Sequence, residues 1–143
     1  MMKKISLCFL ILLSGSSFAV YCDIKIQPQE KPNFKILDID PIEWERDLAE
    51  ATLDLLEKLY DRGFNIITEN NVNTRFTVTD YFKGCTMVKN NCVMAYGSIT
   101  IFDKARNQGF TYYEKDKGIW PFEASKDRAF ENALNRIPNC GTK

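Results

Sequence analysis

The chain contains no histidine, which removes the usual general base, the usual metal ligand and the Ser–His and Cys–His nucleophile pairs together. Carboxylates with Lys, Tyr or Arg are what remains for catalysis. Asp80, Asp103 and Glu114 fall on expected strands or at their ends, and glycosidase-type chemistry would need two such groups facing each other across a cleft. Nothing in their spacing brings them to one point, so they read as solvated charges and turn caps. A carboxylate-dependent enzyme is the third-ranked function, and the first reading is a protein without catalysis.

Cysteines are the second set of reactive groups. Cys8 lies in the apolar N-terminal stretch, leaving Cys22, Cys85, Cys92 and Cys140 as an even set. Four cysteines allow three pairings. Cys85 with Cys92 is preferred, because Lys89-Asn90-Asn91 between them can turn the chain back on itself; Cys22 then takes Cys140. A zinc site would need a tighter ligand pattern, and the chain has neither CxxC nor histidine. No metal and no cofactor are expected.

Tyr112, Tyr113, Trp120 and Phe122 form the densest aromatic cluster, and such side chains serve either as core or as anchors for a partner. Alternation along a strand puts Tyr112 and Tyr113 on opposite faces, so at least one should point away from the main helix. These four are the candidate binding residues. Asp54 and Lys58, at helical spacing of four, read as an ion pair on a solvated helix face.

The elements that position these groups begin with a leader. Met1-Met2-Lys3-Lys4 precedes an apolar run over 5–13 and the small residues Ser17 and Ala19, the pattern of a secretory signal cut after Ala19. The run is too short to span a bilayer. A lipid anchor on Cys22 is disfavoured by Tyr21, since the residue before a lipidated cysteine is normally small. Removal of 1–19 leaves a single domain, 20–143, with no further membrane segment. Lys3 and Lys4 leave with the leader, so the remaining 17 basic residues meet 19 acidic ones, a net charge of −2. Such a balance gives no footprint for nucleic acid.

Within the domain, Cys22 to Ile26 alternates and reads as an edge strand, and the apolar run over 34–39 as a second strand. Asp40 and Pro41 then supply an N-cap and first helical residue, with Glu43 placed for a capping box. Apolar residues Leu48, Ala51, Leu55 and Leu59, with a second row Ala49, Leu53, Leu56 and Tyr60, give a long helix with one wide buried face, while Glu50 lies on its wet side. Gly63 ends it. Strands follow over 64–68, 75–82, 93–102 and 110–114, the last two joined by a hairpin connection at 103–109. Ser125 caps a short C-terminal helix carrying Ala129, Phe130, Ala133, Leu134 and Ile137. The fold class is α+β: an antiparallel sheet of about four to five strands, packed by one long and one short C-terminal helix and stabilised by disulfides.

The helix, glycine turn and strand spanning 47–59 and 63–67, the segment Tyr96-Gly97-Ser98-Ile99-Thr100-Ile101-Phe102-Asp103 with Gly109, and 129–137 together resemble a group of small periplasmic domains. These occur at the amino end of the Tol-system β-propeller protein, in curli-export and flagellar-assembly proteins, and in lipoprotein activators of penicillin-binding proteins. The resemblance covers residues 34–137 in outline and implies binding and scaffolding, because no catalytic motif defines the group. The expected function is therefore a secreted or periplasmic binding protein of the cell envelope, whose sheet edge or exposed aromatics contact an envelope or extracellular protein. A secreted effector or inhibitor acting outside the producing cell is the alternative. The sequence carries no sign of oligomeric state.

Four cysteines paired twice leave no free thiol. Labelling of the exported protein with a thiol reagent should give no adduct before reduction and four after it; two or more reactive thiols in the native protein would remove the two-disulfide framework.

Overall fold

The computed structural model describes residues 21–37, 39–119 and 121–141; the expected leader and Trp120 lie outside the described residues. Cys22 to Ile26 does form a strand, β1 (Asp23–Ile26), with Ile24 fully buried. It is not an edge strand. The sheet order is β2-β1-β3-β4-β5, and β1 runs parallel to both of its neighbours, so the sheet is mixed while its meander is antiparallel. No local pattern signals this, because one alternating segment looks the same at an edge and inside a sheet. β2 is only Asn65–Ile66, shorter than the apolar run over 64–68.

Within the run over 34–39, Phe34–Leu37 form a helical turn, α1, and not a strand. The Asn33 side chain accepts from the Ile36 N–H and its carbonyl from the Leu37 N–H. That local acceptor competes with a ladder, and Pro28 and Pro32 just before it remove donors a ladder would use. Phe34 is anchored edge-on against Trp44 with ring centroids 5.7 Å apart.

The long helix, α2 (Pro41–Asp61), starts as its sequence dictates. Asp40 Oδ1 accepts from the Ile42 N–H at 3.0 Å and Pro41 takes the first turn. Glu43 does not close a capping box, because its carboxylate is bound by Lys126. At the other end Gly63 adopts φ +83°, a conformation that favours glycine. Ala51, Leu55 and Leu59 are buried, with Leu48 packed beside them. The second apolar row is not part of a wide buried face: Ala49 is exposed, Leu53 is 67 % exposed and Tyr60 76 %. One sheet face offers room for one stripe of the helix.

β3 (Phe76–Val88), β4 (Asn91–Asp103) and β5 (Gln108–Lys117) are the expected meander, β4 and β5 longer at both ends and β3 at its C-terminal end. Lys89 and Asn90, both at positive φ, form the two-residue connection of β3 to β4, as the twist of a hairpin prefers. The C-terminal helix, α3 (Lys126–Leu134), is capped by Ser125 Oγ accepting from the Arg128 N–H at 3.1 Å. It lies directly on β4: a Cβ at Gly97 would stand 2.3 Å from Phe130 Cα. Ile24, Val78, Tyr81 and Ile99 from the sheet meet Leu55, Leu59, Phe130 and Leu134 from the helices in one core. Both α2 and α3 thus cover a single face of the sheet.

Both expected disulfides are present, Cys22–Cys140 and Cys85–Cys92. On a chain-entropy account they contribute about 5 and about 2.5 kcal/mol. Leu55→Ala should cost about 2–5 kcal/mol in denaturant melts and Leu53→Ala about 0.5 kcal/mol or less; comparable losses at the two positions would place the buried stripe elsewhere.

Candidate functional site

The three carboxylates read from the sequence lie apart. Asp103 pairs in register with Phe76 and Gln108, Asp80 with Thr100, and Glu114 with Gly97. Gly97 and Asp103 are roughly 20 Å apart along β4. Asp80 is exposed, and Glu114 faces Arg136 at 3.5 Å. Asp103 is not a solvated charge. Its side chain is 4 % exposed and takes a two-pronged bond from Arg75, Nε at 2.9 Å and Nη2 at 3.0 Å, while capping the next turn through the Ala105 N–H. Arg75 in turn lies over the ring of Tyr21, 3.6 Å from its centroid. The bond from Arg75 holds the Asp103 carboxyl below the usual carboxylate range against the opposing effect of burial.

The aromatic cluster is divided. Tyr112 packs against the core, and burial raises its hydroxyl pKa. Tyr113 points to the opposite, helix-free face, stacked on Tyr96 with centroids 6.2 Å apart. Phe122 is 76 % exposed in the segment after β5. Trp120 lies outside the described residues.

A different place gathers side chains from four parts of the chain. Between the segment before α2 (Pro32, Ile39 and Asp40), the N-terminal half of α2, the β3–β4 hairpin and the 123–127 segment opens a cleft of about 750 Å³. Trp44, Leu48 and Ala51 form one wall, the Cys85–Cys92 disulfide and Met87 another. Two lysines organise it. Lys83, with a side chain only 2 % exposed, donates to Glu50 at 2.9 Å and to Asp127 at 2.6 Å, tying β3 to both helices. Lys126 donates to Glu43 at 2.9 Å and Asp47 at 2.6 Å. For both lysines burial disfavours the charged form, yet the carboxylate bonds outweigh it and raise the pKa. Glu50 is therefore half of a buried lysine's counter-charge rather than a mere wet-side residue.

Exposed apolar residues adjoin the cleft: Met87 lines it, and Val88, Val93 and Phe122 are chain neighbours of the lining residues Met87, Cys92 and Glu123. Met87, Val88 and Val93 at the hairpin end are 42–56 % exposed, and Ile119 and Phe122 are 76 %. Hydrogen bonds from Gly118 N–H to Val93 O and from Ala124 N–H to Cys92 O hold the 118–124 segment against the hairpin. Sequence reading reached Phe122 but missed Lys83, Lys126 and the hairpin tip. The lysine partners lie 33 and more residues away, and no local pattern encodes such pairs.

Chemically, the cleft can hold a chain by apolar contact and by its rim of Asp40, Glu43, Asp47, Glu123 and Asp127. Its two cations are each already held by two carboxylates. Among the described residues no group of three or more His, Cys, Asp or Glu is placed to hold a metal ion, and no helix is long and apolar enough to cross a membrane.

No protein-family model and no curated protein matches the sequence. A solved structure of a minor lipoprotein from Acinetobacter baumannii is similar over 85 % of this chain and 98 % of its own, at 9 % identity and a TM-score of 0.38. A superposition that loose carries no argument about fold or role. It lends no support to the expectation that the chain has no lipid anchor; the sulfur of Cys22 is bonded to Cys140.

Asp103→Asn removes one charge of a buried pair and strands Arg75, so it should cost about 2–4 kcal/mol at neutral pH. Because the folded pKa of Asp103 lies below its ordinary 3.8, this stability is present above that value and lost as pH falls through the folded one. Melts of variant and wild type should differ at pH 7 and converge in strong acid. Equal stability at pH 7 would show that the pair holds nothing.

Proposed function

We propose that this is an exported, disulfide-bonded protein of the cell envelope that binds another macromolecule without catalysing a reaction, and that the cleft and the exposed apolar residues beside it are where it binds. Two disulfides belong to an oxidising compartment, and the leader pattern and the resemblance to small periplasmic domains point the same way. The observation that carries the binding role is the set of five exposed large apolar side chains on two neighbouring segments. Clustered apolar side chains of this kind mark interaction surfaces more often than scattered ones. Met87 lines the cleft and Val88, Val93 and Phe122 adjoin lining residues in the chain; the cleft's lysines are neutralised internally, so the surface is suited to contact rather than to proton transfer. The partner is an envelope or extracellular protein. The separation of Asp80, Asp103 and Glu114 withdraws support from the carboxylate-enzyme reading.

A photoreactive amino acid placed at Met87 or Phe122 in intact producing cells should form protein adducts, whereas the same residue at Glu57, on the outer side of α2, should not. Asp80→Asn and Glu114→Gln should leave those adducts and the cellular phenotype unchanged, since exposed carboxylates contribute little. Absence of adducts at both Met87 and Phe122 removes the site, and loss of phenotype in a folded carboxylate variant puts an enzyme in its place.

A further inference from the structure

The free edge of β3 gives the cleft a more specific use. β1 pairs with β3 only from Phe76 to Val78, and the Gln27 N–H bonded to Val78 O ends that pairing. β3 continues for ten more residues. A bulge between Val78 and Asp80 resets the alternation. Beyond it the Tyr81 N–H points away from β4, since it donates to Gln29 Oε1 at 3.4 Å. By the antiparallel alternation, Lys83 and Cys85 turn their N–H and C=O groups the same way, while Phe82 and Gly84 face β4.

Gln29 occupies the first position along this edge. Its side-chain amide accepts from the Tyr81 N–H and donates to the Thr79 carbonyl, as a backbone amide of an adjacent strand would. The next positions, Lys83 and Cys85, have no backbone partner on that side among the described residues. The edge itself lines the cleft: Phe82, Lys83, Gly84 and Cys85 all do so consecutively. Side chains alternate between faces and Gly84 has none, so Phe82 and Gly84 reach the same cleft as Lys83 and Cys85 through the exposed edge of the strand.

We infer that the cleft receives an extended, cationic peptide segment that adds as a strand to β3, bonding to the main chain of Lys83 and Cys85. The inference rests on the cleft being the contact surface. Strand addition takes affinity from main-chain bonds and selectivity from pockets for alternate side chains; Trp44, Leu48 and Met87 supply the apolar pockets. The cationic character follows from charge. The rim holds five carboxylates against two lysines, and each lysine is shared by two carboxylates. Inward capture of the Lys83 side chain also strips this edge of the charge that would otherwise repel strand pairing.

The probe is an acetylated, amidated eight-residue peptide alternating lysine and valine, titrated into the exported protein with both disulfides intact. Two further forms carry N-methyl groups on all lysines or on all valines, each blocking one edge of the peptide. The peptide should bind and slow amide exchange at Lys83 and Cys85 by about tenfold or more. One N-methylated form should lose about tenfold or more in affinity, equal to about 1.4 kcal/mol, while the other is kept, because only one edge pairs. No binding, equal binding of all three forms, or protection of β5 instead of β3 overturns strand addition. Adducts at Met87 and Phe122 that persist in that case would leave the binding surface standing and remove only this mode of using it.

Discussion

The structure depends on holding a four-residue strand inside the sheet. β1 must pair in parallel with β2 and β3 at once, and four residues supply few bonds for it. The Cys22–Cys140 bond fixes its start. Three distant parts of the chain meet there: the Cys22 carbonyl accepts from the Asn65 N–H at 3.0 Å, and the Cys140 N–H donates to the Arg62 carbonyl at 2.7 Å. The bond closes a separation of 118 residues, and on the chain-entropy account a long loop gains more from closure than a short one. β2 pairs only with β1, so it shares the same dependence. The β3–β4–β5 meander is joined by short turns and needs no such tie.

The brevity of β1 also creates the cleft. Had it run the length of β3, the edge at Lys83 and Cys85 would be covered. The chain instead leaves the sheet after Ile26, passes Pro28 and Pro32, makes the single turn α1 and enters α2 at Asp40. That path places Pro32 and Ile39 at one end of the cleft and the first turns of α2 along its side. Lys83 and Lys126 then set its width, since each binds groups from α2 to groups at the start of α3 or on β3. The Gly97 contact lets α3 sit with its backbone against β4. A larger residue there would lift the helix and move Asp127 away from Lys83.

What could be read from the sequence was local. Asp40-Pro41, Gly63, Ser125 and the Lys89-Asn90 turn are chemical signals confined to a few residues, and each stands where it was expected. The cysteine pairing followed from counting and one turn. The apolar run over 34–39 misled because its burial was inferred from composition, whereas Ile36 and Leu37 are exposed and Asn33 offers a nearer hydrogen-bond acceptor than any strand. The parallel setting of β1 and the Glu50–Lys83–Asp127 bridge were invisible for one shared reason. Each joins residues far apart in the chain, and hydrophobic period describes only which face a residue takes, not what lies across from it. Tyr112 and Tyr113 illustrate the limit: alternation placed them on opposite faces, but only the packing of α2 and α3 says which face is covered.

The two long edges of the sheet are not equivalent, and the difference favours β3. On β5 the Tyr113 carbonyl faces outward and is already taken by Arg136 at 3.2 Å, with the exposed Lys115 and Lys117 further along the same strand. An occupied acceptor and exposed lysines are the usual means by which an edge is kept from pairing. On β3 the corresponding lysine, Lys83, is turned into the protein and held by two carboxylates, and the bulges at Val78/Asp80 and Thr86/Met87 bracket the open stretch without blocking it. The protected edge faces solvent and the unprotected one lies within a cleft, where α2 and the hairpin shield it from casual pairing. An edge that is open only inside a recess selects for a single extended segment over another folded sheet.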